Sequence, residues 1–261
     1  MKDIKSALMS YSVYRKTQTP VPYFFKIEKG NKKLFYFGSN HSRDPEDVQY
    51  KELLGHWEAF LSSVDPKDCL VMNEGGLRKL RESKEESIDS DAEAGLITYL
   101  ANTKGIEIIS PEPERQQQDI DLLSKYSKEE VQYYYFARVV HQWGRIPQKP
   151  SFEEYIKGFL ASDKEESGWS DFDFSLDHMK SIHTSIFKGD FDETNTNFFY
   201  SIINPSFRTT VINSFAQDQG VERDTFIASK IIEEWEKGKN IFIVFGESHA
   251  VIQEPALKKF A

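Results

Sequence analysis

The stretch "IFIVFGESHA", residues 241–250, runs five β-branched or aromatic residues straight into Gly246 and ends on Gly246-Glu247-Ser248-His249. An unbroken apolar run of this length, closed by a glycine, reads as a strand buried on both faces. Far upstream, "LFYFGSNHS" at 34–42 repeats the form: a strand, then Phe-Gly-x-x-His. Two such strands, each delivering a histidine past its carboxyl end, decide the reading of the fold. A glycine three residues before each histidine would let the backbone turn and carry the imidazole over the sheet edge.

"YFFKIE" at 23–28 and the strand from Leu34 flank a Gly30-Asn31 turn, which predicts a β-hairpin. Val48, Leu53, Trp57, Phe60 and Leu61 recur at helical spacing after the turn at Asp44-Pro45. "DCLVMNEGG" (68–76) is a short strand ending on Glu74, "SDAEAGLITYLANTKG" (90–105) a helix with a glycine stop, and "IEIISPEPE" (106–114) another strand. This alternation predicts an α/β fold with a mostly parallel sheet and covering helices. Residues 119–204 are instead polar, aromatic and helical in pattern, as in "VQYYYFARVVHQWGRI". They are expected to form a helical insertion capping the carboxyl edge of the sheet. The chain is thus expected to be a single domain, with a core of 20–118 plus 205–261.

Composition excludes several classes. A net charge of -9 leaves no basic footprint for nucleic acid. The single cysteine, Cys69, cannot form an intrachain disulfide. No run approaches the roughly 20 apolar residues of a membrane span, and the N-terminus lacks the apolar stretch of a signal peptide. A cytoplasmic protein acting on a peptide or small molecule is expected.

In an open α/β sheet, ligands bind beyond the carboxyl ends of the strands. The predicted strand ends there carry His41, Glu74, the Glu112/Glu114 pair, and Glu247 with His249. Two imidazoles and a carboxylate would suit a divalent transition metal. Glu93 has two readings. Ser90-x-x-Glu93 is a capping-box pattern, yet on a helical wheel Glu93 falls among Ala92, Leu96, Ile97 and Leu100, where a carboxylate needs a partner. Asp224, beside Arg223 at the start of the helix "ERDTFIASKIIEEWEKG", complements the helix dipole. Arg223 lies at the edge of that helix's apolar arc, within reach of the sheet edge. His56, His141, His178 and His183 read as surface or packing residues.

In these residues the chain resembles the TraB/Tiki superfamily, which includes Tiki metalloproteases, TraB/PrgY-type proteins, ChaN-like haem-binding proteins and erythromycin esterases. The matching features are the two Gly-x-x-His motifs, Gly38–His41 and Gly246–His249, with Glu74 in "VMNEGG", the helical Glu93 before "KGIEI", and Arg223 ahead of the last strand. Together they span about 34–114 and 220–255. The resemblance implies a metal-dependent hydrolase of an amide or ester bond. His41, Glu74, Glu93 and His249 would hold Mn, Co or Zn, Arg223 would stabilise the oxyanion, and Glu247 would be the general base. A metal-free variant would use His41 or His249 as base. Ser39 stands where erythromycin esterases carry a glutamate, which turns the expectation away from macrolides. A ChaN-like reading makes the chain a haem or small-ligand binder without catalysis, with Tyr133-Tyr134-Tyr135-Phe136 lining the pocket. A third reading is a regulatory partner protein with a vestigial site.

Overall fold

The computed structural model describes residues 3–146 and 148–261. The chain divides into two compact units, one formed by residues up to Glu112 together with Arg223–Ala261, the other by Pro113–Glu222.

The first unit is the α/β fold. After a short helix α1 (Tyr11–Tyr14) come β1 (Tyr23–Lys29), β2 (Lys32–Ser39), α2 (Val48–Leu61), β3 (Cys69–Asn73), α3 (Lys84–Thr103) and β4 (Glu107–Ile109). The second unit holds α4 (Arg115–Leu122), α5 (Lys128–Gly144), α6 (Phe152–Ser167), α7 (Leu176–Phe187) and α8 (Thr196–Ile203). Helix α9 (Val211–Glu236) begins in the helical unit and ends in the sheet unit, and β5 (Asn240–Gly246) and α10 (Glu247–Phe260) complete the chain. The strand order is β1-β2-β5-β3-β4. β1 and β2 form the antiparallel hairpin, while β2–β5, β5–β3 and β3–β4 are all parallel.

Strand alternation sorts the core into two layers. From β2, Leu34 and Tyr36 join Ile227, Ile231 and Trp235 of α9 and Ala250 and Leu257 of α10. Phe35 and Phe37 point the other way, to Leu53, Trp57 and Phe60 of α2 and Leu96, Ile97 and Leu100 of α3. All seven residues of β5 are buried, as its unbroken apolar run requires. Each fully buried Phe or Ile in these layers contributes about 1.5–3 kcal/mol.

The helical unit has its own core. Tyr133 and Phe136 of α5 are fully buried there with Val140, Ile156, Met179, Phe199 and Phe215. The Tyr133 hydroxyl lies 2.5 Å from His183 Nδ1, and Tyr135 donates to Asp119 at 3.0 Å under the Arg115 guanidinium. The aromatic run is thus packing, as is His56, which stacks on Phe24 at 3.6 Å.

Two helices start earlier than their patterns predict. α3 begins at Lys84, where Ser83 caps it by accepting from Glu86 N at 3.0 Å. It then kinks at Asp91 and Ala92, the latter at φ +51°. α9 begins at Val211 rather than near 222.

The glycine of the first motif works by contact, not by turning. A Cβ on Gly38 would lie 2.9 Å from both Ala250 Cβ and Glu247 Cα, and Gly38 is not among the positive-φ residues. The bare backbone is what seats α10 against β2. Gly38→Ala is expected to cost about 1–3 kcal/mol through overpacking, read as a lower urea midpoint at an unchanged m-value.

Candidate functional site

The register puts Ser39, the last residue of β2, opposite Gly246, the last of β5. Two segments far apart in sequence therefore leave the sheet side by side. Asn73 pairs with Val244 on the other side of β5, so Glu74 emerges next to them. The chain then does different things at the two histidines. After β2 it turns at His41 itself, which takes φ +58°. After β5 it enters α10 directly, with Gly246 at φ -59° as N-cap. A non-glycine residue held in the left-handed region costs about 1–3 kcal/mol and is commonest at functional sites.

Glu74 is the shared centre. Its Oε2 accepts from Gly246 N at 2.7 Å and its Oε1 from Arg223 Nη2 at 3.0 Å. The Nε2 atoms of both histidines face it, His41 at 3.8 Å from Oε2 and His249 at 3.5 Å from Oε1. Each ring is fixed on its other nitrogen by a buried carboxylate: His41 Nδ1 pairs with Glu93 Oε1 at 2.6 Å, and His249 Nδ1 with Asp224 Oδ1 at 2.6 Å. Glu93 is 3% exposed and Asp224 fully buried. The carboxylate of Glu93 is thus spent on His41, which decides between its two readings in favour of the buried face.

Arg223 is held from three sides. Glu112 takes it bidentately, Nε to Oε2 at 2.8 Å and Nη2 to Oε1 at 2.6 Å. Its Nη1 is 2.9 Å from His249 Nε2. That contact is a hydrogen bond only while Nε2 is bare. With both ring nitrogens protonated, Glu74 Oε1 is the acceptor for Nε2–H.

The charges set the protonation tendencies. Burial would raise Glu74, but His249, Arg223 and His41 overcome it and hold the carboxyl well below the usual carboxylate range. The hydrogen bond that His41 Nδ1–H donates to Glu93 raises His41 above its ordinary value. Burial pulls His249 down, yet the Asp224 and Glu74 carboxylates outweigh burial and Arg223 and raise it to about 10.

The second-motif glycine is also a matter of space. A Cβ on Gly246 would lie 2.7 Å from His41 Nε2 and 3.3 Å from Glu74 Oε2. Any larger residue would press on His41 Nε2.

His41, Glu74, Glu93, Arg223 and His249 are thus brought together. Glu247 is not. Its carboxylate accepts from Tyr14 Oη at 2.7 Å and from Thr19 Oγ1. The cause is geometric: α10 starts at Glu247, and positions two apart on a helix point about 200° from each other. Asp224 and Glu112 take on parts that sequence spacing did not give them. Asp224 was readable from α10: His249 and Gln253 stand one turn apart, and both bond to it, Gln253 Nε2 at 2.7 Å.

As placed, the side chains do not fit a four-ligand metal centre. Nδ1 and Nε2 point to opposite sides of the His41 ring, so Glu93 on Nδ1 is out of reach of an ion on Nε2. Its second oxygen, Oε2, is buried without a partner, but it belongs to that same far side. The guanidinium of Arg223 already lies against His249 Nε2 and Glu74 Oε1. Among the described residues, no group of three or more His, Cys, Asp or Glu side chains is arranged to hold an ion.

A cavity of about 500 Å³ in the helical unit is lined by Leu160, Phe174, Leu176, Lys157 and Lys164 among others, and by none of the cluster residues. No helix among the described residues is long and apolar enough to cross a membrane. No family model, curated protein or solved structure matches the chain.

Proposed function

We propose that this protein is a hydrolase of an ester or amide bond, of the kind its two Gly-x-x-His motifs suggest, working through general-base chemistry at His41. The observation that carries this is the pair of histidines, each clamped at Nδ1 by a buried carboxylate 2.6 Å away and each turning Nε2 to one shared Glu74. Carboxylate on Nδ1 and a bare Nε2 is the arrangement that makes an imidazole a directed base.

His41 is the base because its side chain is 55% exposed, against 12% for His249. Glu93 keeps the proton on Nδ1 and leaves the Nε2 lone pair to take one from water. The water oxygen bonds to the substrate carbonyl carbon, and Nε2 gains the proton. The resulting imidazolium is stabilised by Glu93 and by Glu74. The C–O or C–N bond then breaks, and the same proton passes from Nε2 to the leaving group. With His249 protonated, both Nη1 hydrogens of Arg223 are left over from its bonds to Glu112 and Glu74. Those hydrogens serve the developing oxyanion, and the two-pronged bond to Glu112 holds the guanidinium in place.

The test is a panel of activated esters and short amides, with protein purified without added metal and assayed with and without chelator. Hydrolysis that survives chelation supports the reading. The base must be neutral, and its pKa is raised above the ordinary 6.5. The rate is therefore expected to climb with pH, with a midpoint above 6.5. Absence of turnover across the panel would overturn the proposal. Loss on chelation, restored by Mn, Co or Zn, would return His41, Glu74 and His249 to a metal site in a rearranged geometry.

A further inference from the structure

The acceptors of this cluster are nearly all spent inside the protein. Both oxygens of Glu74 and both of Glu112 are taken, and Asp224 serves His249, Gln253 and Tyr11. Only Glu93 keeps a free oxygen, and it is buried. The unspent capacity at this edge is in donors, and most of it lies on the loop that follows Glu74.

That loop, "GGLRKLRES" at 75–83, carries three cations in an acidic chain. Arg78 folds back over its start. Its Nη2 donates to the Glu74 carbonyl at 3.3 Å, while its Nε is buried and has no partner among the described residues. Gly75 makes this possible twice over. It sits at φ +74°, and a Cβ there would come within 2.7 Å of Arg78 Nη2. Arg81 reaches the other side, its Nη2 3.5 Å from Asp91 at the α3 kink two residues before Glu93. Its Nε is likewise buried and unpartnered. Arg78 thus lies against the backbone of Glu74, and Arg81 against the Asp91 carboxylate two residues before Glu93. Buried N–H groups without partners call for an acceptor. The Nε–H, together with an Nη hydrogen not already donated, matches a group with two oxygens in one plane.

We propose that Arg78, with Arg81 on the same loop, forms an anion subsite just past Glu74, and that it takes a carboxylate or phosphate group carried by the substrate. As a substrate subsite it presupposes the hydrolase; as an anion site it does not. The carboxylates around it do not exclude this, because Glu74, Glu112 and Asp91 are each engaged by an arginine.

Binding can be read apart from turnover. In the full chain with ¹⁵N-labelled arginine, the Arg78 Nε–H resonance is followed during titration with succinate and, separately, with inorganic phosphate. A saturable shift is expected with at least one, and the tighter of the two identifies the group. Arg78→Met should weaken binding roughly tenfold or more, the loss of a charge-assisted pair, and Arg78→Lys should recover part of it. His41→Asn should bind as the parent does while failing to turn over esters. A shift that does not saturate, or equal binding by Arg78→Met with an unchanged melting temperature, overturns the subsite. If binding holds but no ester or amide is ever cleaved, the subsite stands and the hydrolase falls.

Discussion

His41→Asn is expected to lower ester hydrolysis by about 10²–10⁴, the usual range for removing a general base, without loss of fold. Asparagine is the informative replacement because of the backbone. His41 stands at φ +58°, a conformation that Asn adopts more readily than other non-glycine residues. The amide also gives Glu93 a hydrogen-bond donor in place of the ring. Thermal unfolding should therefore show the variant at least as stable as the parent, so that lost rate cannot be laid to unfolding. Hydrolysis within threefold of the parent would remove His41 from the reaction.

Arg223→Met should be the most destabilising change in the cluster. The guanidinium is one-fifth exposed and holds Glu112 and Glu74, each also about one-fifth exposed. Removing one partner from such a network strands the others, and typical costs are about 3–5 kcal/mol, against total stabilities of about 5–15 kcal/mol. A pH dependence follows. Glu74 has its carboxyl held below the ordinary 4.5 partly by Arg223. A depressed carboxylate stabilises the fold above 4.5 and loses that contribution as pH falls through its lowered value. The parent should thus lose stability on acidification, and Arg223→Met should lose less. Arg223→Lys keeps the charge without the bidentate fork; it should fold but hydrolyse more slowly than the parent. A full-strength unfolding midpoint in Arg223→Met would mean that the three-sided clamp contributes little.

The fold was legible where one residue pattern had one structural solution. The run 241–245 could only be a central strand, and the Gly30-Asn31 turn could only pair β1 with β2. The convergence of His41, Glu74, Glu93, Arg223 and His249 was legible because three strand ends, one buried helical carboxylate and an arginine at the edge of a helix's apolar arc pointed to one edge. What spacing could not give was the partner of each group. Whether Glu93 faces a metal or the far nitrogen of His41 depends on the ring's orientation, which the left-handed turn at His41 sets. Asp224 reads as a dipole complement until α10 is in place. Glu247 looked available only while 246–249 was taken as a turn. Once those residues are helical, it must point away.

The position of β5 has a consequence for how this protein is made. β5 lies between β2 and β3, yet it follows both in the chain, after the whole helical unit. During synthesis β2 and β3 therefore wait with their inner edges unpaired until the last strand is delivered. At about 5–20 residues per second, more than 160 residues separate the end of β3 from the start of β5, so the interval is on the order of ten seconds or more. Exposed strand edges are templates for pairing with other chains. The nascent polypeptide is thus most vulnerable to self-association just before its final strand closes the sheet. The segment that brings His249 to the site is also the one that ends this exposure.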